Sequence, residues 1–182
     1  MINYHKAKNI LKKAKINTQS ESILINNSLN RVVAKNIISS SYHPLENNAA
    51  FDGFAIKAED TKKISKNKIK HFKIIGSIAA GTKPFRKKVK RFETIEIMTG
   101  GIITKPFNTI IPIEQIDFYP NKENPNSIII KKKINKYNHV RFKGSDYRKG
   151  DIIIKKGTVI KPNHILALKS LGIKKIKVKK KL

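Results

Sequence analysis

Apolar residues recur at Tyr4, Ala7, Leu11 and Ala14, three or four positions apart, with Lys6, Lys8, Lys12, Lys13 and Lys15 between them. That period predicts an amphipathic helix of three to four turns at the N-terminus. The stretch SLNRVVAKNII, Ser28 to Ile38, sets Leu29, Val32 and Val33 on one helical face behind Ser28 as N-cap, and ends on β-branched residues. It predicts a second, shorter helix running into a strand. From Tyr42 to about Val140 the helical spacing gives way to short apolar runs cut by Gly, Pro and Asn, the texture of β-rich sequence. Strands are predicted at Phe54 to Ile56, His71 to Ile78, Glu93 to Met98, Thr109 to Phe118 and Ser127 to Ile134. The last two flank a hairpin loop holding Pro120, Asn121, Asn124 and Pro125. The Lys-rich connection from Thr61 to Lys73 reads as a solvated loop.

After Val140, three glycines (Gly144, Gly150, Gly157) surround a short strand, Asp151 to Ile154. Pro162 and Asn163 open a helix with an apolar face of Ile165, Leu166, Leu168 and Leu171, and Gly172 sits where a left-handed residue closes such a helix. A strand, IKKIKV, then precedes KKKL. The fold class is α+β and β-rich.

Composition changes the picture in one respect. The 182 residues carry 40 Lys plus Arg against 12 Asp plus Glu, a formal charge of +28, which suggests a nucleic-acid partner first. However, 35 Lys, 32 Ile and 17 Asn make up 84 of the 182 residues, and these types share A/T-rich codons. Base composition alone therefore accounts for much of the charge. Only five of the basic residues are Arg, the side chain suited to bidentate phosphate and guanine contacts. There is no Cys, which excludes disulfides, thiolate zinc sites and cysteine nucleophiles. No apolar run approaches the roughly 18 residues needed to span a bilayer, and the Lys-rich start has no apolar signal core. A soluble, cytoplasmic chain is expected.

Most catalytic signatures fail. GSIAAGTK, Gly76 to Lys83, inverts the Lys-Thr order of a P-loop and is followed by Pro84 rather than a helix. His5, His43, His71, His139 and His164 form no i, i+4 pair, so no metal site is read. Ser145, in a Gly-Ser-Asp turn, lacks the strand-to-helix setting of a nucleophile. Two stretches place polar residues and glycines among apolar ones. In PLENNAAFDGFAI, Pro44 to Ile56, the residues Asn47, Asn48 and Asp52 lie beside Ala49, Ala50 and Gly53, where the backbone can pass close to a ligand or another chain. In ETIEIMTGGI, Glu93 to Ile102, a strand ends at Thr99, whose hydroxyl with the N–H groups of Gly100 and Gly101 suits an anion-binding nest. The same pattern also describes a strand end closed by a Gly turn without any ligand, the reading that physics alone favours.

Taken in order, these stretches resemble the N-terminal half of the MoeA family, the molybdopterin molybdenumtransferases that include the gephyrin E domain. SLNRVVAKNI is similar to the family's A-L-G-R-V-L-A, NNAAFDGFAI to D-N-S-A-M-D-G-Y-A-V, GSIAAGT to G-x-x-x-A-G-x, and IMTGG to I-M-T-G-A. HVRFKGSDYRKGDIIIKKGTVIKP is similar to the run N-x-R-x-x-G-E-D…G-D…G-T-x-L, and HILALKSLGIKKIKV to the ending A-S-L-G-I-x-x-V-x-V.

The resemblance implies an elongated helix-plus-strand linker domain from residues 1–41 and 141–182, with a mixed β domain, 42–140, inserted into it. It implies transfer of molybdate to adenylylated molybdopterin with Mg²⁺, in a homodimer, with ligands held mainly by a later domain or a separate molybdopterin-binding chain. No cofactor is expected on this chain alone. Asp52 and Thr99 stand at catalytic positions, and Asn48, Gly53, Gly100 and Gly101 at ligand-binding ones. Asn47, Asn108 and Ser145 replace family acids, the Asp of D-N-S, the Asp of G-A-D-A-V and the Glu of G-E-D. Two other readings stay open: a degenerate, non-catalytic binding or scaffold module, and a basic nucleic-acid-binding module.

Overall fold

The computed structural model describes residues 2–14 and 18–181, so Lys15, expected on the polar face of the first helix, lies outside the described residues. In chain order the elements are α1 (Tyr4–Lys13), β1 (Ser20–Leu24), β2 (Ile37–Ile38), β3 (Asn48–Ala49), β4 (Gly53–Ile56), β5 (Lys70–Ile78) and β6 (Glu93–Ile97). They continue as β7 (Thr109–Pro112), β8 (Asp117–Tyr119), β9 (Ser127–Ile130), β10 (Val140–Arg141), β11 (Ile152–Ile154), α2 (Pro162–Ser170) and β12 (Lys175–Lys179). Strand outweighs helix, as expected of a β-rich α+β chain. No helix among the described residues is long and apolar enough to cross a membrane.

The chain forms two compact units, residues 1–40 with 149–182, and residues 41–148. The second boundary falls later than 140/141 because Val140 and Arg141 pair with Ala49 and Asn48, and His43 bridges Tyr147, within the second unit.

In the first unit β1 pairs antiparallel with β12, and β11 with β2. Val33, Ile37, Ile154, Ile160, Leu168, Ile176 and Val178 close its core. Helix α1 forms where predicted, capped by the Asn3 side chain on the Lys6 N–H. Among the described residues, however, nothing covers its apolar face: Tyr4 and Leu11 remain 70% and 75% exposed. Helix α2 buries Leu168 but leaves Leu166 exposed; the buried Leu171 caps it, and Gly172 follows with φ +70° as the predicted left-handed closing residue. The predicted helix from Ser28 does not form. Ser28 closes a short 3₁₀ turn, Ile25–Asn27, donating its hydroxyl to the Ile25 carbonyl at 2.6 Å, and Asn30 turns the chain at φ +60°. The β-branched Val32 and Val33 then bridge Val159 and Val178. Stiff branched side chains prefer such extended pairing to a helix interior.

The second unit is built on a six-stranded sheet in the order β7-β4-β6-β5-β9-β8, antiparallel except for the β5–β6 pair. Both faces are covered, because alternation along β4 sends Phe54 and Ile56 into one core and Ala55 into the other. The β8–β9 hairpin forms as predicted. The run from Thr109 to Phe118 divides into β7 and β8 around a 3₁₀ turn, Ile113–Gln115, since Pro112 has no N–H to carry the ladder on. The run from Ser127 likewise ends its pairing at Ile130. The Lys-rich connection is only partly solvated: Thr61 and Ile64 are buried, and the Thr61 hydroxyl accepts from the Ile134 N–H at 2.9 Å.

Candidate functional site

The antiparallel register Gly53↔Ile97 sets the residue entering β4 beside the turn leaving β6. Asp52 and Thr99, 47 positions apart in sequence, thereby meet: the Thr99 N–H and hydroxyl both donate to Asp52 Oδ1, at 2.6 and 2.7 Å. From the other side the Ile113 N–H donates to the Asp52 carbonyl at 3.0 Å, so backbone and side chain are both held. The carboxylate is exposed, and both side-chain bonds end on Oδ1, which leaves Oδ2 as an acceptor toward solvent. The Thr99 N–H, and after it the Thr99 hydroxyl, hold the Asp52 carboxyl below the usual carboxylate range. Asp52 is therefore ionised throughout the neutral range. Stability linked to this group is present above the ordinary carboxylate range and is lost as pH falls through the folded-state value. Thr99→Val is expected to move the Asp52 titration midpoint up, but only part of the way, because the stronger backbone bond survives. A carboxyl-carbon NMR titration checks this, and an unmoved midpoint would show the hydroxyl to be irrelevant.

The expected anion nest at Gly100 and Gly101 is not formed. The Gly100 N–H donates to the Ala49 carbonyl at 2.9 Å and the Gly101 N–H to the Met98 carbonyl at 2.8 Å, while both Thr99 donors are taken by Asp52. Backbone pairing satisfies these groups more directly than an anion would. Thr99 is thus a positioning residue for Asp52. Asn48 lies beside the same turn, bridging Ile102, and its buried Oδ1 has no hydrogen-bond partner among the described residues. Gly53 lets β4 approach β7, its missing Cβ position lying 2.0 Å from the Ile111 carbonyl oxygen.

The three positions that replace family acids do not join Asp52. Asn47 and Asn108 line a cleft of about 580 Å³ with Lys57, Glu59, Lys105 and Lys136. That cleft adjoins the far end of β4, where the Asn108 N–H donates to the Ile56 carbonyl at 3.0 Å. Five residue-to-residue steps of extended chain, about 16 Å, separate Lys57 from Asp52. Ser145 sits in a turn and donates to Asp146 Oδ1 at 3.3 Å; Asp146 also receives the Arg141 guanidinium. Glu59 and Lys136 carried no local sequence signal, since Glu59 meets Asn108 and Lys136 from distant parts of the chain.

Among the described residues no group of three His, Asp or Glu side chains lies together as a metal cage. The Asp52 carboxylate is held in place by Thr99 and open to solvent.

Comparison with known proteins gives a consistent result. The family described as the MoeA N-terminal region, domain I and II, matches residues 2–172. A molybdopterin molybdenumtransferase of Staphylococcus aureus is 31% identical over 167 residues, covering 90% of this chain and 38% of its own. The Bacillus subtilis protein of the same name is 27% identical over 164 residues, covering 90% and 37%. A crystal structure of a molybdopterin biosynthesis MoeA protein from Pyrococcus horikoshii OT3 superposes with a TM-score of 0.84 at 29% identity, covering 94% of this chain and 44% of that one. The chain thus spans less than half the length of the proteins it matches.

Proposed function

Because the chain belongs to the family of MoeA N-terminal regions, domain I and II, we propose that it serves molybdenum cofactor biosynthesis as the linker and β-rich part of a molybdopterin molybdenumtransferase. The reaction in this reading inserts molybdate into adenylylated molybdopterin, in the cytoplasm. The groups that hold pterin and nucleotide lie outside these 182 residues, in a partner chain or a further segment, and the second unit of a homodimer closes over them.

The observation that carries the reading is the Asp52–Thr99 pair, two residues far apart in sequence held as one rigid, ionised acceptor at a sheet end. Mg²⁺, when bound, neutralises phosphate charge. Asp52 Oδ2 would accept hydrogen bonds from its waters, and Thr99 keeps that carboxylate both aimed and deprotonated. A second reading, a non-catalytic binding module, draws on the three replaced acids. Asn47 Oδ1 accepts from the Lys143 N–H at 2.8 Å and Asn108 Oδ1 from the Ala58 N–H at 2.9 Å, so both amides serve structure.

Mixing the chain with a separately produced molybdopterin-binding domain of a relative and measuring molybdate insertion tests both. Stimulation by the chain is expected, lowered about tenfold or more by Asp52→Ala. Absence of stimulation, or full stimulation by Asp52→Ala, would overturn the catalytic reading and leave the binding module.

A further inference from the structure

The first unit, residues 1–40 with 149–182, holds 18 of the 40 basic residues but only two of the 12 acidic ones, Glu21 and Asp151. An A/T-rich base composition multiplies lysines throughout the chain, but it does not clear carboxylates from one unit. Glu21, moreover, is engaged by the Arg31 guanidinium.

On this unit the positive charge has a definite place. Strand alternation along β12 buries Ile176 and Val178 in the core and sets Lys175 and Lys177 on the solvent face. The two lysines stand about 7 Å apart, the rise of two nucleotides along one strand of a duplex. Across the antiparallel pair, the exposed Ser22 lies opposite Lys177. With Lys35, Asn36 and Ser40, from the segment around β2, these residues line a groove of about 470 Å³. Among the described residues no carboxylate lines the groove, and its three lysines have no ion-pair partner. Asn36 accepts the Lys156 N–H on Oδ1 at 2.8 Å, which leaves its Nδ2 as a donor.

Ammonium, hydroxyl and amide donors are the groups that hold phosphate oxygens of nucleic acid in register. The groove has no Arg for bidentate contact with guanine and no aromatic ring for stacking on unpaired bases. We infer that this groove of the first unit binds the phosphate backbone of a double-stranded nucleic acid without reading its sequence. A duplex, with one charge per about 1.7 Å of its axis, complements so unbalanced a unit better than an acidic polypeptide does.

Fluorescence anisotropy of the full chain with two labelled DNA duplexes of unrelated sequence, titrated between about 50 and 200 mM salt, tests the site. Both duplexes should bind within about threefold of each other, with log affinity falling linearly against log salt. Lys35→Ala, Lys175→Ala and Lys177→Ala combined should weaken binding about tenfold or more and make the slope shallower by about 2–3. All three side chains are exposed, so the urea midpoint should not move with them. Arg at the same three positions keeps the charge and should keep both affinity and slope. Ala at Lys63, Lys66 and Lys122, exposed lysines of the second unit, removes equal charge and should leave the slope unchanged. A control that loses as much as the groove variant would reduce the binding to overall charge and overturn the proposal. So would absence of binding at about 50 mM salt, a preference of about tenfold or more for one duplex, a loss that Arg shares, or polyglutamate displacing the duplex at equal charge concentration.

Discussion

Gly53→Ala is expected to destabilise the unit of residues 41–148 by about 3 kcal/mol, the upper range for forced overpacking. The cause is specific. A Cβ at residue 53 would stand 2.0 Å from the Ile111 oxygen, 2.9 Å from the Ile111 carbonyl carbon and 3.0 Å from the Pro112 Cα, all of them backbone atoms. No rotamer change can relieve that overlap, so β4 must part from β7 along the register that runs from Gly53↔Pro112 to Ile56↔Thr109. Asp52 would move with it, because its carbonyl holds the Ile113 N–H just beyond β7. In urea the midpoint should fall by about 1–3 M at unchanged slope, given slopes of about 1–3 kcal/mol/M. Gly81→Ala is the control. That residue has φ +76° but open space around its missing Cβ, so only the conformational cost of about 1 kcal/mol applies. A Gly53→Ala midpoint no lower than that of Gly81→Ala would contradict the close approach of the two strands.

Gly53 also shows which parts of the fold the sequence made legible. Within a strand pattern, a lone Gly marks a bulge or a close approach, but which strand approaches depends on pairing that no local signal encodes. Short apolar runs bounded by Gly, Pro and Asn located β4, β5, β6 and the β8–β9 hairpin, because strand period and turn chemistry are local properties. Pro162 and Gly172 bounded α2 for the same reason. Ser28 to Ile38 misled because hydroxyl, apolar spacing and Ala34 satisfy a helical template, while the competing force is tertiary: Val33 is fully buried against β12. The amphipathic period of α1 was real, yet period alone does not say what covers the face.

The site divides in the same way. Asp52 and Thr99 could be singled out separately, each in a polar interruption of apolar sequence, but their hydrogen bonds follow from the β4–β6 register. The Gly100–Gly101 nest failed because an N–H count cannot tell free donors from donors already paired with Ala49 and Met98. Asn108 was visible only as a missing charge. In the fold it gains a function that Asp could not supply, a donor to Glu59, a residue 49 positions away.

Phe72→Ala should produce the other large loss, about 3–5 kcal/mol, by a different route. Phe72, the third residue of β5, is 0% exposed and packs with Phe54, Ile128 and Ile130. Because β5 joins the parallel β6 on one side and antiparallel β9 on the other, the surrounding backbone is fixed from both directions and cannot collapse into the void. Loss of the edge-to-face contact with Phe92, whose ring centroid lies 5.4 Å away, adds to the cost. Phe92 in turn carries Lys70 and Arg91 over its ring, at 5.6 and 4.7 Å, so two cations lose their platform if that ring shifts. Phe72→Leu keeps most of the volume and should cost about 1.5 kcal/mol or less. The urea midpoints of the two variants, compared at equal slope, separate cavity formation from loss of aromatic character. If Leu costs as much as Ala, the aromatic contact with Phe92 dominates; if both stay within about 1 kcal/mol of the parent chain, the sheet relaxes around β5 and the packing of this core is looser than its burial implies.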